Sequence, residues 1–362
     1  MRAGHAAAST LRTLPKVELH RHLDGSVRIS TIWEIAEQHG IDLGVRSFAE
    51  LQEKAVLRAP RSSLQSVLDC FSTQQAALCS FEALSRVTME NIEDAWRDGV
   101  RLLELRFAPA FISRGKTIDH DAIIGGVVDG MVRGMAAWPV QVGLIGILPR
   151  RYPEAAHRQA TADLVRWKDS GAPGAERICG FDLADEESGF DPLTLAPFVE
   201  HAREAGLGIT IHSGENTDAA SVRRTLEVYR PARIGHGIRA IQDPALVLRL
   251  AREDILLEVN PTSNWITSAV PSLREHPLAA LHRAGVPVCV NSDDPNLFGI
   301  DLVHEYEVCL AEMGLEPREL LAMNLAALRH SFLPRAITSA LAAEIEPAWG
   351  AVIATAGGGA QG

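Results

Sequence analysis

The sequence predicts an α/β fold, a (β/α)8 barrel with a helical insertion after its first strand, and three observations carry that prediction. Short apolar runs rich in Val, Ile and Leu recur along the chain, segments of helical periodicity separate them, and His, Asp and Glu gather where the runs end. Strands buried on both faces read as continuous apolar runs, and their alternation with helices implies a parallel sheet. Eight such runs close one barrel.

The runs fall at 17–20, 100–107, 140–148, 177–183, 207–212, 233–236, 255–260 and 286–291. The clearest helical stretches between them are 81–98, 121–137, 192–205 and 244–253. Pro192 and Pro244 each follow an aspartate, the order expected of a cap followed by a first helical residue. A barrel needs roughly 250 residues, whereas this chain has 362. The surplus is assigned mainly to the gap 25–99, which is mostly helical with a turn at Ala59-Pro60-Arg61 and is expected to form a cap. A single domain over 14–350 is therefore expected, between a flexible N-terminus at 1–13 and a Gly/Ala-rich tail at 354–362 expected to be disordered.

Composition narrows the function classes. The 35 Lys and Arg are outnumbered by 46 Asp and Glu, a formal net charge of −11. That balance lacks the positive field nucleic-acid binders use, and no apolar stretch is long enough for a membrane helix. Neither nucleic acid nor membrane is expected as a partner. The five cysteines are odd in number and lack CxxC spacing, which argues against a disulfide framework or a cysteine-rich zinc site. The first residues lack the apolar run of a secretory signal, so a cytoplasmic location is expected.

In such a barrel the chemistry sits at the C-terminal ends of the strands. The first strand ends Glu18-Leu19-His20-Arg21-His22-Leu23-Asp24-Gly25. Residues two apart on a strand share a side, so His20 and His22 can reach one metal ion. Gly25 is expected to allow a sharp turn and leave room for a substrate. Later strands end in His212-Ser213-Gly214-Glu215, in His236-Gly237, and in Asn291-Ser292-Asp293-Asp294-Pro295. Each has a dull alternative: a core histidine bonded to a carbonyl, a histidine capping a turn, an aspartate capping a helix before Pro295. Chance placement of His20, His22, His212, His236 and Asp293 at four strand ends is improbable. Three imidazoles and a carboxylate suit one zinc ion with an open position, although iron, cobalt or manganese could take a similar site. The fourth strand ends Asp182-Leu183-Ala184-Asp185 with no lysine, so a carboxylated lysine bridging two metals is not available there. Gly115-Lys116-Thr117 is not a phosphate loop, because Ala110 stands where that motif needs glycine. The HxE and PCxxC signature of cytidine-type deaminases is absent.

The string from Leu14 to Ser26 resembles the opening motif of the adenosine deaminase family, metal-dependent barrels of the amidohydrolase superfamily. The likeness continues at His212-Ser213-Gly214-Glu215, Arg233-Ile234-Gly235-His236-Gly237, Asn260-Pro261-Thr262-Ser263-Asn264 and Asn291-Ser292-Asp293-Asp294-Pro295, in family order over about 14–299. The resemblance implies that His20, His22, His212 and Asp293 bind one Zn2+ per chain. It implies that Glu215 protonates purine N1 and that His236 orients or deprotonates the attacking water. His22, Asp24, Asp185 and Asp294 would contact the substrate, with Asp24 on the ribose 5′-hydroxyl and Asp294 on N7. The cap residues Leu64, Val67, Leu68 and Phe71 would wall the sugar side. One departure stands out: the family has glycine where this chain has Asp185, and Asp tolerates unusual backbone angles better than most residues.

The implied reaction is zinc-dependent hydrolytic deamination of adenosine or deoxyadenosine, a small-molecule purine nucleoside, giving inosine or deoxyinosine and ammonia. A 5′-modified adenine nucleoside such as 6-amino-6-deoxyfutalosine is the second substrate. Adenine is third, since family members acting on the free base tend to carry Glu at the position of Asp24. Two other classes compete: an amidohydrolase opening an amide or lactam, and a binding protein. The paired Asp293-Asp294 with Glu215 favours the deaminase, and a binding protein predicts a broken ligand position where none is broken.

Overall fold

The computed structural model describes residues 10–61, 67 and 70–358. Eight parallel strands follow one another around a single sheet in chain order. They are β1 (Lys16–His22), β2 (Val100–Phe107), β3 (Gln141–Pro149), β4 (Ile178–Ala184), β5 (Gly208–Ser213), β6 (Arg233–His236), β7 (Leu256–Val259) and β8 (Val288–Val290). Every apolar run named from the sequence is a strand, with ends that agree to within three residues. The barrel closes through a single bridge from Arg21 of β1 to Asp293 beyond β8. There His22 N–H donates to the Asp293 carbonyl at 2.8 Å and Asp293 N–H to the His20 carbonyl at 3.1 Å. Below that bridge, side chains stitch the seam: Leu19 N–H donates to Asn291 Oδ1, and Ser292 N–H to Glu18 Oε1. The closure thus runs through the residues that carry the chemistry.

The strands are less uniformly apolar than their sequences suggest. Glu104, Arg106, Asp182, Arg233 and Glu258 all point inward and are fully buried. Arg106 pairs with Asp182 and Glu258 at 2.7 Å each, and Arg233 with Glu104 and Glu258 at 2.6 Å each. A layer of ion pairs therefore lies under the strand ends. Buried charges persist only when each is paired and hydrogen-bonded, as these are.

The insertion contains helices Ile29–His39, Phe48–Ala55 and Phe71–Ala77, and the next helix, Phe81–Arg97, packs against β2 and His120–Ala137 as an ordinary barrel helix. The stretch 192–205 is not one helix. It divides into a tight turn at Pro192–Thr194 and a helix at Ala196–Glu204. Pro197 explains the break: it has no N–H to bond back to the Leu193 carbonyl, so it is tolerated only in the first turn of a helix, here the one starting at Ala196.

Both ends are more ordered than expected where they are described. Residues 10–12 are helical, and Leu11 and Leu14 are buried. Arg12 pairs with Asp98 at 2.7 Å and Asp301 at 2.5 Å, and Lys16 Nζ donates to the Leu14 and Asp98 carbonyls. At the other end, helix Arg335–Gly358 continues through the start of the tail expected to be disordered. Ala-rich sequence favours helix, and fully buried Trp349 anchors it by donating from Nε1 to the Pro15 carbonyl at 2.8 Å. Residues 1–9 and 359–362 lie outside the described residues. No described helix is long and apolar enough to cross a membrane.

Candidate active site

The catalytic, metal and polar substrate residues named from the sequence line one cavity of about 670 Å³ at the C-terminal ends of the strands, except His20, which is fully buried and packs against His212. His20 and His22 end β1, His212 ends β5, His236 ends β6, and Asp293 and Asp294 follow β8. His236 and Asp293 hold left-handed backbone, with φ of +60° and +61°. Non-glycine residues in that region are strained and concentrate at functional sites. Gly25 serves a different purpose from the one expected. Its φ is not positive, and a Cβ there would lie 1.7 Å from Asp294 Oδ1. The missing side chain makes room for the Asp294 carboxyl.

Four ligand-type atoms converge on the floor. His20 Nε2 lies 3.1 Å and His22 Nε2 3.3 Å from Asp293 Oδ1. His22 Nε2 is also 3.3 Å from His20 Nε2 and from His212 Nε2. Atoms of His20, His212, His236 and Asp293 form an overlapping group, all within 4.8 Å of one another. His22 and His236 are thus rival fourth members beside a common trio.

The imidazoles differ in what backs them, and His22 Nδ1 faces Asp24 Oδ1 at 4.0 Å. His20 Nδ1 donates to Glu258 Oε2 at 2.9 Å. His212 Nδ1 lies 2.9 Å from Asp182 Oδ2, whose other oxygen accepts the His212 N–H. A carboxylate behind Nδ1 holds the proton there and leaves Nε2 as a lone pair aimed inward, the usual arrangement of metal-ligating histidine. Against burial, His212 and Arg106 hold Asp182, and Arg106 and Arg233 hold Glu258, below the ordinary carboxylate range. Burial is the largest influence on each and opposes ionisation, yet the cations outweigh it. Lone pairs packed this closely beside the Asp293 carboxylate repel one another unless a cation lies between them. The donor set therefore fits a divalent metal held by His20, His22, His212 and Asp293. His236 is backed instead by amides: Asn264 Nδ2 at 2.9 Å and Asn260 Nδ2 at 3.2 Å from its Nδ1.

Burial raises the carboxyls on the wall and favours their protonated forms. Burial, with help from Asp293, pushes Glu215 up to about 8. Burial and the neighbouring Asp293 and Asp24 push Asp294 well above the carboxylate range. Although Asp294 starts the short helix Pro295–Phe298, its side chain does not cap it and remains available to the cavity. Glu215 Oε1 accepts from Thr267 Oγ1 at 2.8 Å, and Oε2 lies 3.8 Å from His236 Nε2. Asp24 is pushed up to about 6, again by burial. Its Oδ2 accepts from Gln75 Nε2 at 3.3 Å, and its Oδ1 accepts no hydrogen bond but lies 4.0 Å from His22 Nδ1.

Asp185 takes φ +82°, the conformation that a glycine at this position would adopt freely. Its carboxylate accepts from Glu186 N–H at 2.8 Å and Arg151 N–H at 3.4 Å. Val67 and Phe71 line the cavity as expected. Leu64 and Leu68 lie outside the described residues.

The sequence reading assigned no role to Asp182, Glu258, Thr267 or Glu187. Glu187 accepts the N–H groups of Gly214 and Glu215 and so fixes the turn that carries Glu215. A signal existed for Asp182 and Glu258, each a lone acid inside an apolar strand run. Thr267 and Glu187 offered none.

A family model described as adenosine deaminase matches residues 15–348. An adenosine deaminase of Shewanella denitrificans is 35% identical over 322 residues, covering 89% of this chain and 95% of that protein. The structure of an adenine deaminase from Arthrobacter aurescens superposes with a TM-score of 0.84 at 30% identity, over 92% of this chain and 98% of its own. The N6-methyl-AMP deaminase of Arabidopsis thaliana gives a TM-score of 0.79 at 26% identity, over 94% and 98%.

Proposed function

The chain belongs to the adenosine deaminase family, and from that premise we propose that it converts adenosine and deoxyadenosine to their inosine counterparts with one zinc ion per chain. It is a hydrolase of carbon–nitrogen bonds in a metal-dependent family. The observation that carries the reading is a pair of buried carboxyls, Glu215 and Asp294, that line one cavity with a cluster of metal-ligand atoms.

His20, His22, His212 and Asp293 would hold the metal. When bound, such an ion supplies acidified water, making a nucleophile at neutral pH. The chain's own groups do the rest. Glu215 donates its carboxyl proton to purine N1, so the ring accepts attack at C6 without gathering full negative charge. Asp294 donates to N7, which has only a lone pair to offer. His236 orients the attacking water and stabilises charge beside it. Asp24 accepts from the ribose 5′-hydroxyl through Oδ1, which no protein group hydrogen-bonds. The C6–N bond then breaks. One water proton restores the Glu215 carboxyl and the other leaves with ammonia, relayed by Asp293.

A 5′-modified adenine nucleoside is the second reading, because Arg114 and Arg151 line the same cavity and would meet an acidic extension. A substrate panel of adenosine, deoxyadenosine, adenine and a 5′-carboxylated adenosine, scored by kcat/KM, decides. The proposal predicts that adenosine and deoxyadenosine lead. A preference of tenfold or more for the carboxylated compound, or for adenine, contradicts it. The cytoplasm is the proposed location, and nucleic acid and membrane are not proposed as partners.

A further inference from the structure

His276 lies outside the cavity, between the turn Leu273–Glu275 and the helix Leu278–Arg283, and is buried. Its two ring nitrogens have unlike partners. The Leu278 backbone N–H donates to Nδ1 at 3.1 Å, while Nε2 lies 3.2 Å from Asn264 Oδ1. A backbone N–H can only donate, so Nδ1 must offer a lone pair. A neutral His276 therefore carries its proton on Nε2 and gives it to Asn264 Oδ1. Burial keeps the ring neutral, lowering its pKa to about 3.

The direction then passes along. With its oxygen occupied, Asn264 turns Nδ2 toward His236, 2.9 Å from Nδ1. Asn260 Nδ2 stands at 3.2 Å from the same atom and is itself oriented by the Glu258 carbonyl. Two amide donors leave His236 Nδ1 no choice but to accept. Its proton sits on Nε2, the atom facing Glu215 Oε2 at 3.8 Å and Asp293 Oδ2 at 3.9 Å.

We propose that His276 is a positioning residue: through Asn264 it fixes His236 as the Nε2–H tautomer. The chain Leu278 N–H, His276, Asn264, His236 is anchored by the first amide of a helix, a group that cannot reverse. An imidazole protonated on Nε2 has no lone pair for a metal, so His236 is not a ligand despite its proximity. Nor can it take a proton from water at that atom. It donates a hydrogen bond to the oxygen that attacks C6. The catalytic consequence rests on the deaminase reading, but the tautomer does not.

The test uses 15N-histidine-labelled, zinc-loaded protein, with the His236 resonances assigned by their loss in His236→Gln. The expected spectrum shows a protonated Nε2 and an unprotonated Nδ1. Asn264→Asp offers His236 an acceptor, so the proton is expected to move to Nδ1 and kcat to fall about 100-fold, with KM changed by less than about threefold. His276→Leu removes the donor to Asn264 and is expected to lower kcat about 10-fold, whereas His276→Gln, which can donate from its amide, restores most of the rate. A His236 protonated on Nδ1 in the unsubstituted protein overturns the proposal. So does Asn264→Asp moving the proton while kcat stays unchanged. Should Asn264→Asp fail to fold, the unsubstituted spectrum and the two His276 variants decide alone. Failure to turn over any 6-aminopurine would sink the deaminase reading and leave the tautomer measurement standing.

Discussion

The floor of the cavity and its wall use the same residue types for opposite work. On the floor, His20 and His212 are backed by Glu258 and Asp182, which Arg106 and Arg233 keep ionised. On the wall, His236 is backed by the amides of Asn260 and Asn264, and Glu215 by the hydroxyl of Thr267. Charged backing draws a proton to the far side of the ring and frees a lone pair for a cation. Neutral backing in a buried setting leaves protons on the cavity side. What a histidine or a carboxyl does here depends on its second contact more than on its distance from the centre of the site.

Four substitutions and a pH profile press on that contrast. The largest expected effect belongs to the wall: Glu215→Gln should lower kcat about 10³-fold while the protein stays folded and metal-loaded. Near-normal turnover would remove Glu215 as the donor to N1. On the floor, Glu258→Gln or Asp182→Asn should weaken metal binding by about 10- to 100-fold, measured by competition with a chelator. Wild-type affinity in both would mean that the carboxylate backing is not what prepares the ligands.

A smaller effect concerns pH. Glu215 acts as its protonated form, and burial raises it to about 8. The groups facing it are the anions Asp293, Glu186 and Glu187, the imidazole of His236, and the Thr267 hydroxyl. The protonated fraction is complete at lower pH and is lost as pH rises through about 8, so kcat/KM for adenosine should fall over that range. A profile flat to pH 10 would contradict this. The smallest effect is expected from Asp185→Gly. Relief of the φ of +82° should stabilise the fold by about 1 kcal/mol, and kcat/KM for adenosine should change less than about threefold. Thermal unfolding and steady-state kinetics read the two parts.

Much of this was legible in the sequence. The strands at 100–107 and 233–236 have the predicted limits, and each of the five expected metal or water-facing residues ends or follows a strand. Local apolar runs and residue type carry that information, because strand ends define where a barrel's side chains converge. The backing was not legible. Glu258 meets His20 across 238 residues, and Thr267 meets Glu215 across 52. Such contacts follow from which strands are neighbours, not from any local spacing. The described parts of the chain ends are held in a related way. Arg12, Lys16 and Trp349 look unremarkable in sequence, and their distant partners Asp98, Asp301 and Pro15 help hold those segments in place.

The contrast between floor and wall is tested most directly by counting zinc in two variants. His212→Gln and His236→Gln, purified alike and loaded with zinc, are each assayed for bound metal and for adenosine turnover. The account predicts that His212→Gln loses both metal and activity, while His236→Gln keeps one zinc per chain and loses turnover. A His236→Gln protein that loses its zinc as readily as His212→Gln would contradict it.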